Sequence, residues 1–162
     1  MKFDTISMPD FPPELATRQR QPDQVFDGNE LLFRRFKPEF GDDPDVDTIE
    51  LPDISVCRSK YSRAEHVLCS SDGRFDGWGV LHFRVKDVPR TISYAGYQVC
   101  SSRVVHVPQN KNYAHSEVQV FDMSGNQLSR DRISALDKDA NLLFRQKILE
   151  YSHVCIQPAG SI

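Results

Sequence analysis

No stretch of this sequence approaches the ~20 consecutive apolar residues that span a bilayer. Every hydrophobic run is broken within a few residues by Arg, Asp, Lys or His. A membrane helix is therefore excluded, and Met1 to Asp10, with one lysine and no apolar core, does not read as a signal peptide. A cytoplasmic location is the expectation. Charge of one sign is lacking too: 20 Lys and Arg stand against 23 Asp and Glu, leaving a net charge of −3. Such a balance provides no field to hold a polyanion, so nucleic acid is not expected as a partner. The four cysteines, Cys57, Cys69, Cys100 and Cys155, lack the C-x-x-C spacing of a zinc site and the density of a disulfide scaffold. Free thiols in a reducing compartment fit them. Also missing are the nucleophile elbow G-x-S-x-G, the P-loop and the dinucleotide fingerprint G-x-G-x-x-G. No cofactor is expected.

What is present is an ordinary globular balance of 39% hydrophobic and 27% charged residues over 162 positions, enough for one core-bearing domain. Residues 1–29 contain Pro9, Pro12, Pro13 and Pro22 and hold neither helical nor strand periodicity, so they read as an extended, mobile arm. Residues 30–162 read as a single globular domain. Strand patterns occur at Glu30 to Phe36, Asp53 to Arg58, Trp78 to Val85, Tyr97 to Val107 and Ser116 to Phe121, with a last short one at Val154 to Ile156. Ser62 and Glu65 have capping-box spacing and predict a short helix to about Cys69. Leu136, Ala140, Leu143, Phe144, Ile148 and Tyr151 fall at helical spacings and predict a helix with one apolar stripe. The expected fold is α+β, a mostly antiparallel sheet of roughly five strands packed against a C-terminal helix.

The polar loop from His106 to Glu117 joins two strands, the usual place for a rigid sheet to present functional groups. If His115 and Glu117 share a face and His106 converges on them, the three could ligate a metal, with His115 and Glu117 as acid and base. The alternative is a hydrogen-bonded loop closure. His115-Ser116-Glu117 also matches the first half of the zinc deaminase signature, but the P-C-x-x-C half is absent. For binding to a protein partner, Tyr113 is the aromatic anchor of the loop, with Asn112 beside it. Arg58 and Arg63, near the start of the Ser62 helix, are candidates to hold an anionic group, unless the acidic loop Asp42, Asp43, Asp45 and Asp47 pairs with the basic residues.

The segments L-F-R-R-F, I-S-V-C-R-S-K-Y-S-R-A-E-H-V-L, G-W-G-V-L-H-F-R-V and V-V-H-V-P-Q-N-K-N-Y-A-H-S-E-V span most of Glu30 to Val120. They resemble a group of small uncharacterised bacterial proteins associated with conflict and defence gene clusters. That resemblance implies a cytoplasmic accessory component and transfers no catalytic residue. A second likeness is to ADP-ribosyltransferases, through the order Arg34, Ser59 or Ser62, then Glu117. Those enzymes carry Gln or Glu two residues before the catalytic Glu, where this chain has His115. The sequence thus favours a non-catalytic interaction module over a small enzyme built on His106, His115 and Glu117.

Overall fold

Alternating apolar and polar residues write most of the strands, because successive side chains of a strand point to opposite faces. The computed structural model describes residues 10–40, 44–133 and 138–160. Its strands are β1 (Leu31–Phe36), β2 (Asp53–Arg58), β3 (Gly79–Arg84), β4 (Thr91–Tyr94), β5 (Tyr97–His106), β6 (His115–Phe121) and β7 (His153–Ile156). Two helices, α1 (Arg130–Ile133) and α2 (Lys138–Glu150), precede β7. All neighbours pair antiparallel in the order β4-β5-β6-β2-β1-β3-β7. The fold is α+β, with seven strands among the described residues in place of the roughly five expected; the helix expected to be C-terminal, α2, is followed by β7, where the sequence patterns a last short strand at Val154 to Ile156. The strand missed in the sequence, β4, is four residues long and forms a hairpin with β5 across Ala95-Gly96. Both turn residues have positive φ, 51° and 81°, the left-handed pair that a two-residue hairpin requires.

One sheet face carries Leu32, Phe36, Ile54, Val56, Leu81, Phe83, Val118 and Val120 beneath Ala140, Phe144 and Ile148 of α2. Positions i, i+4 and i+8 put those three helix residues on one face. Leu143 and Tyr151, expected in the same stripe, are 45% and 47% exposed, and Leu136 lies outside the described residues. The opposite face carries Phe33, Cys57 and Val80 under Val67 and Leu68. Those two belong to a 3-10 turn, Ala64–Leu68. The Ser62–Glu65 capping box does not form. Ser62 Oγ donates instead to Arg58 O at 2.7 Å, and the Arg63 amide donates to His66 Nδ1 at 3.0 Å, so the turn starts one residue later.

Residues 10–30 carry no strand and no α-helix, only a 3-10 turn at Pro13–Leu15 and two further turns, yet they are tied to the body. Tyr113 N donates to Leu15 O at 2.6 Å and Thr17 N to Asn110 O at 3.0 Å. Leu15 is buried. Further along, the fully buried Arg58 guanidinium gathers Glu30 and the carbonyls of Asp23 and Val25. These contacts run between the expected arm and the expected globular domain. Among the described residues no helix is long and apolar enough to cross a membrane.

Candidate functional site

Antiparallel register decides which of the predicted residues meet. His106 of β5 pairs with Ser116 of β6, and paired residues share a face, so His106 lies on the helix side of the sheet. His115 and Glu117, one position to either side, lie on the other. The sheet itself therefore keeps His106 away from its two supposed partners. His106 is buried, and both ring nitrogens are used: Nδ1 accepts from the Asp23 amide at 2.8 Å and Nε2 donates to Tyr113 O. Tyr61 stacks on the ring with centroids 5.7 Å apart. Burial lowers the affinity of His106 for a proton, and no lone pair remains for a metal. Among the described residues no group of three or more His, Cys, Asp or Glu is arranged to hold a metal ion.

The other predicted residues separate in the same way. Tyr113 is 5% exposed; its hydroxyl donates to Gln21 O at 2.7 Å, and Arg20 lies 3.8 Å above its ring. It anchors the arm of its own chain. Arg58 does likewise, and Arg63 is an exposed residue paired with Glu65 at 3.1 Å. Asp42 and Asp43 lie outside the described residues, whereas Asp47 pairs with Arg145 at 3.6 Å. Arg34 donates to the carbonyls of Thr48 and Ser55 on the helix side, so the sheet separates it from Glu117. The Ser59 hydroxyl accepts from Leu31 N, and Ser62 is engaged with Arg58 O. The order of residues that resembled ADP-ribosyltransferases does not bring them to one cleft. Glu117 accepts from Gln119 two residues along its own strand, at 2.9 Å.

Two predicted residues, Asn112 and His115, do open on a common space. It is a cleft of about 440 Å³ on the loop side of the sheet. Its floor includes Cys57 of β2, which stands opposite His115 of β6. Its walls include Phe11 of the arm, Val67, and the segment Cys69 to Phe75. Asn112, 5% exposed, donates through Nδ2 to Cys57 Sγ at 3.3 Å, and its Oδ1 is buried with no partner among the described residues. His115 Nδ1 donates to Val107 O at 2.8 Å, which leaves Nε2 as the ring's lone-pair nitrogen. Arg35 lines the same cleft with its guanidinium 3.7 Å above the Phe75 ring and one long hydrogen bond, 3.4 Å, to Val67 O. No carboxylate among the described residues pairs with it.

No family model, curated protein or solved structure matches this chain. The cleft's own chemistry carries the functional reading. Burial pushes the Cys57 thiol up, outweighing the Asn112 hydrogen bond and the Arg35 charge, so at neutral pH the sulfur is a protonated thiol and a poor nucleophile. Arg74 forms a close pair with Asp72 at 3.0 Å, which holds the Asp72 carboxyl down at about 2. The cleft thus offers one cation without a carboxylate partner among the described residues and acceptors in the same lining, an arrangement for binding. Arg35 was visible in the sequence only as half of an Arg-Arg pair. Its signal was parity: it shares a strand face with Leu31 and Phe33, where a third apolar residue would be expected.

Proposed function

We propose that this chain is a non-catalytic interaction module that engages its partner through the cleft between Arg35, Asn112 and His115. The observation that carries this reading is the buried Asn112 Oδ1, without a partner among the described residues, in the same cleft as a guanidinium with no carboxylate. Leaving a buried polar group unsatisfied costs about 1–3 kcal/mol, a deficit that a bound donor would remove. Proton transfer and nucleophilic attack find less support: His106 is fully engaged, the Cys57 thiol is protonated, and Glu117 is not among the residues lining the cleft. The likeness to small bacterial proteins of conflict and defence gene clusters makes an accessory role in such an assembly the natural setting.

A photoreactive amino acid at Ser71, on the exposed rim of the cleft, tests the reading in the full chain. In extract of the native host it should give a discrete protein adduct that is lost in Arg35→Gln and in Asn112→Ala. Adducts unchanged in both variants, with both still folded by thermal denaturation, would place the interaction elsewhere.

A further inference from the structure

The chemistry of the cleft narrows what the partner presents. Three charged side chains line it, Arg35, Asp72 and Arg74, and the last two neutralise one another at 3.0 Å. One positive charge is left, which matches a monoanion better than a phosphate carrying close to two negative charges. Stacking of Arg35 on Phe75 holds the guanidinium plane and leaves its edge for a bidentate carboxylate. Two acceptors line the same cleft, the unpaired Asn112 Oδ1 and the lone-pair nitrogen of His115, and they call for N–H donors. Phe11, Val67 and the Phe75 ring supply apolar wall. The volume, about 440 Å³, suits a few residues of chain and not a whole secondary-structure element.

A carboxylate, backbone N–H groups within a few ångströms of it and an apolar side chain occur together at the end of a polypeptide. Resting on the interaction-module reading, we propose that the cleft captures the C-terminus of a partner chain whose last residue is apolar. The terminal carboxylate pairs with Arg35, the last amide N–H donates to Asn112 Oδ1, and the last side chain packs against Phe11, Val67 and Phe75. This is carboxylate capture by a side-chain fork, with the neighbouring amide providing register.

The test uses fluorescein-labelled hexapeptide pools, randomised at the first five positions and ending in Leu or Phe, with fluorescence anisotropy as the readout on the full chain. Free-acid pools should bind, and the same pools with an amidated C-terminus should bind at least tenfold more weakly. Arg35→Gln should abolish the difference between acid and amide. Arg35→Lys, which keeps the charge but not the fork, should weaken the acid several-fold, and Asn112→Ala should do the same. Equal binding of acid and amide, insensitivity to Arg35→Gln in a folded variant, or no binding of any free-acid pool at millimolar concentration would overturn the inference. N-acetyl-leucine binding as tightly as the hexapeptides would make the ligand a small carboxylate and overturn the polypeptide assignment. If the acid and the amide bind alike while the Ser71 adducts still depend on Arg35 and Asn112, the C-terminal inference fails and the interaction module stands.

Discussion

Replacing Arg58 by Met should release the N-terminal arm and remove a large share of the stability. Arg58 is fully buried, and its guanidinium makes four hydrogen bonds: Nε and Nη2 to the two Glu30 carboxylate oxygens at 2.7 and 2.8 Å, Nη1 to Asp23 O at 2.6 Å and Nη2 to Val25 O at 2.7 Å. Phe26 covers the guanidinium at 3.9 Å. Methionine preserves much of the side-chain volume, so the loss is electrostatic. It leaves the Glu30 carboxylate, 6% exposed, without its cation and two carbonyls without donors. Removing one member of a buried ion pair costs about 3–5 kcal/mol, a large fraction of the roughly 5–15 kcal/mol that stabilises a typical domain. At about 2–4 °C per kcal/mol for a chain of this size, the melting temperature should fall by about 10 °C. Urea denaturation followed by tryptophan fluorescence measures the change, and limited proteolysis locates it, with new cleavage expected between residues 16 and 27. Glu30→Gln in the Arg58→Met background should recover part of the loss, because it removes the stranded charge. A loss below about 1 kcal/mol, or an arm as resistant as in the wild type, would refute the idea that Arg58 clamps the arm.

Gly79→Ala should destabilise by about 1–3 kcal/mol in urea, since an added Cβ would lie 2.3 Å from the Phe36 ring and force it to move. Phe83→Ala and Phe144→Ala, each removing a buried ring from the helix-side core, should each cost about 3–5 kcal/mol in the same assay. Acidification should weaken the fold between pH 7 and 5. Burial lowers the proton affinity of His66, His82 and His106, so the unfolded chain takes up protons near pH 6.5 before the folded one, and stability present above that pH is lost below it. A urea midpoint independent of pH across that window would contradict this. A second loss is expected below about pH 4: the Tyr61 hydroxyl and the Lys60 ammonium hold the Asp23 carboxyl well below the usual carboxylate range, so its stabilising contribution disappears as pH falls further. Native-state titration with a thiol reagent should modify Cys155 first, the other three cysteines being buried, and reductant or chelator should leave the melting temperature unchanged.

The strands with strong alternation were legible in the sequence to within a residue or two, because apolar residues of the helix-side face recur at period two, as Ile54 and Val56 of β2, Leu81 and Phe83 of β3, and Val118 and Val120 of β6 do. β4 escaped because only Ile92 of its four residues is buried, too short a pattern to stand out, although Ala95-Gly96 marked its hairpin. Helix α2 was legible from Ala140, Phe144 and Ile148, and its stripe was drawn too wide because Leu143 is apolar without being buried. Within the candidate site, Asn112 and His115 came from the loop's polarity alone.

Composition, charge and periodicity by themselves determined an α+β chain with free cysteines and, among the described residues, no helix able to cross a membrane, since these depend on local chain chemistry. Only the tertiary structure decided which side chains share a space. A shift of one residue along a strand turns a side chain to the other face, so the register of β5 against β6 put His106 under the arm and His115 in the cleft. Strand order then brought Arg35 and Asn112, 77 positions apart in the numbering, to the same cleft, a proximity that no local pattern records.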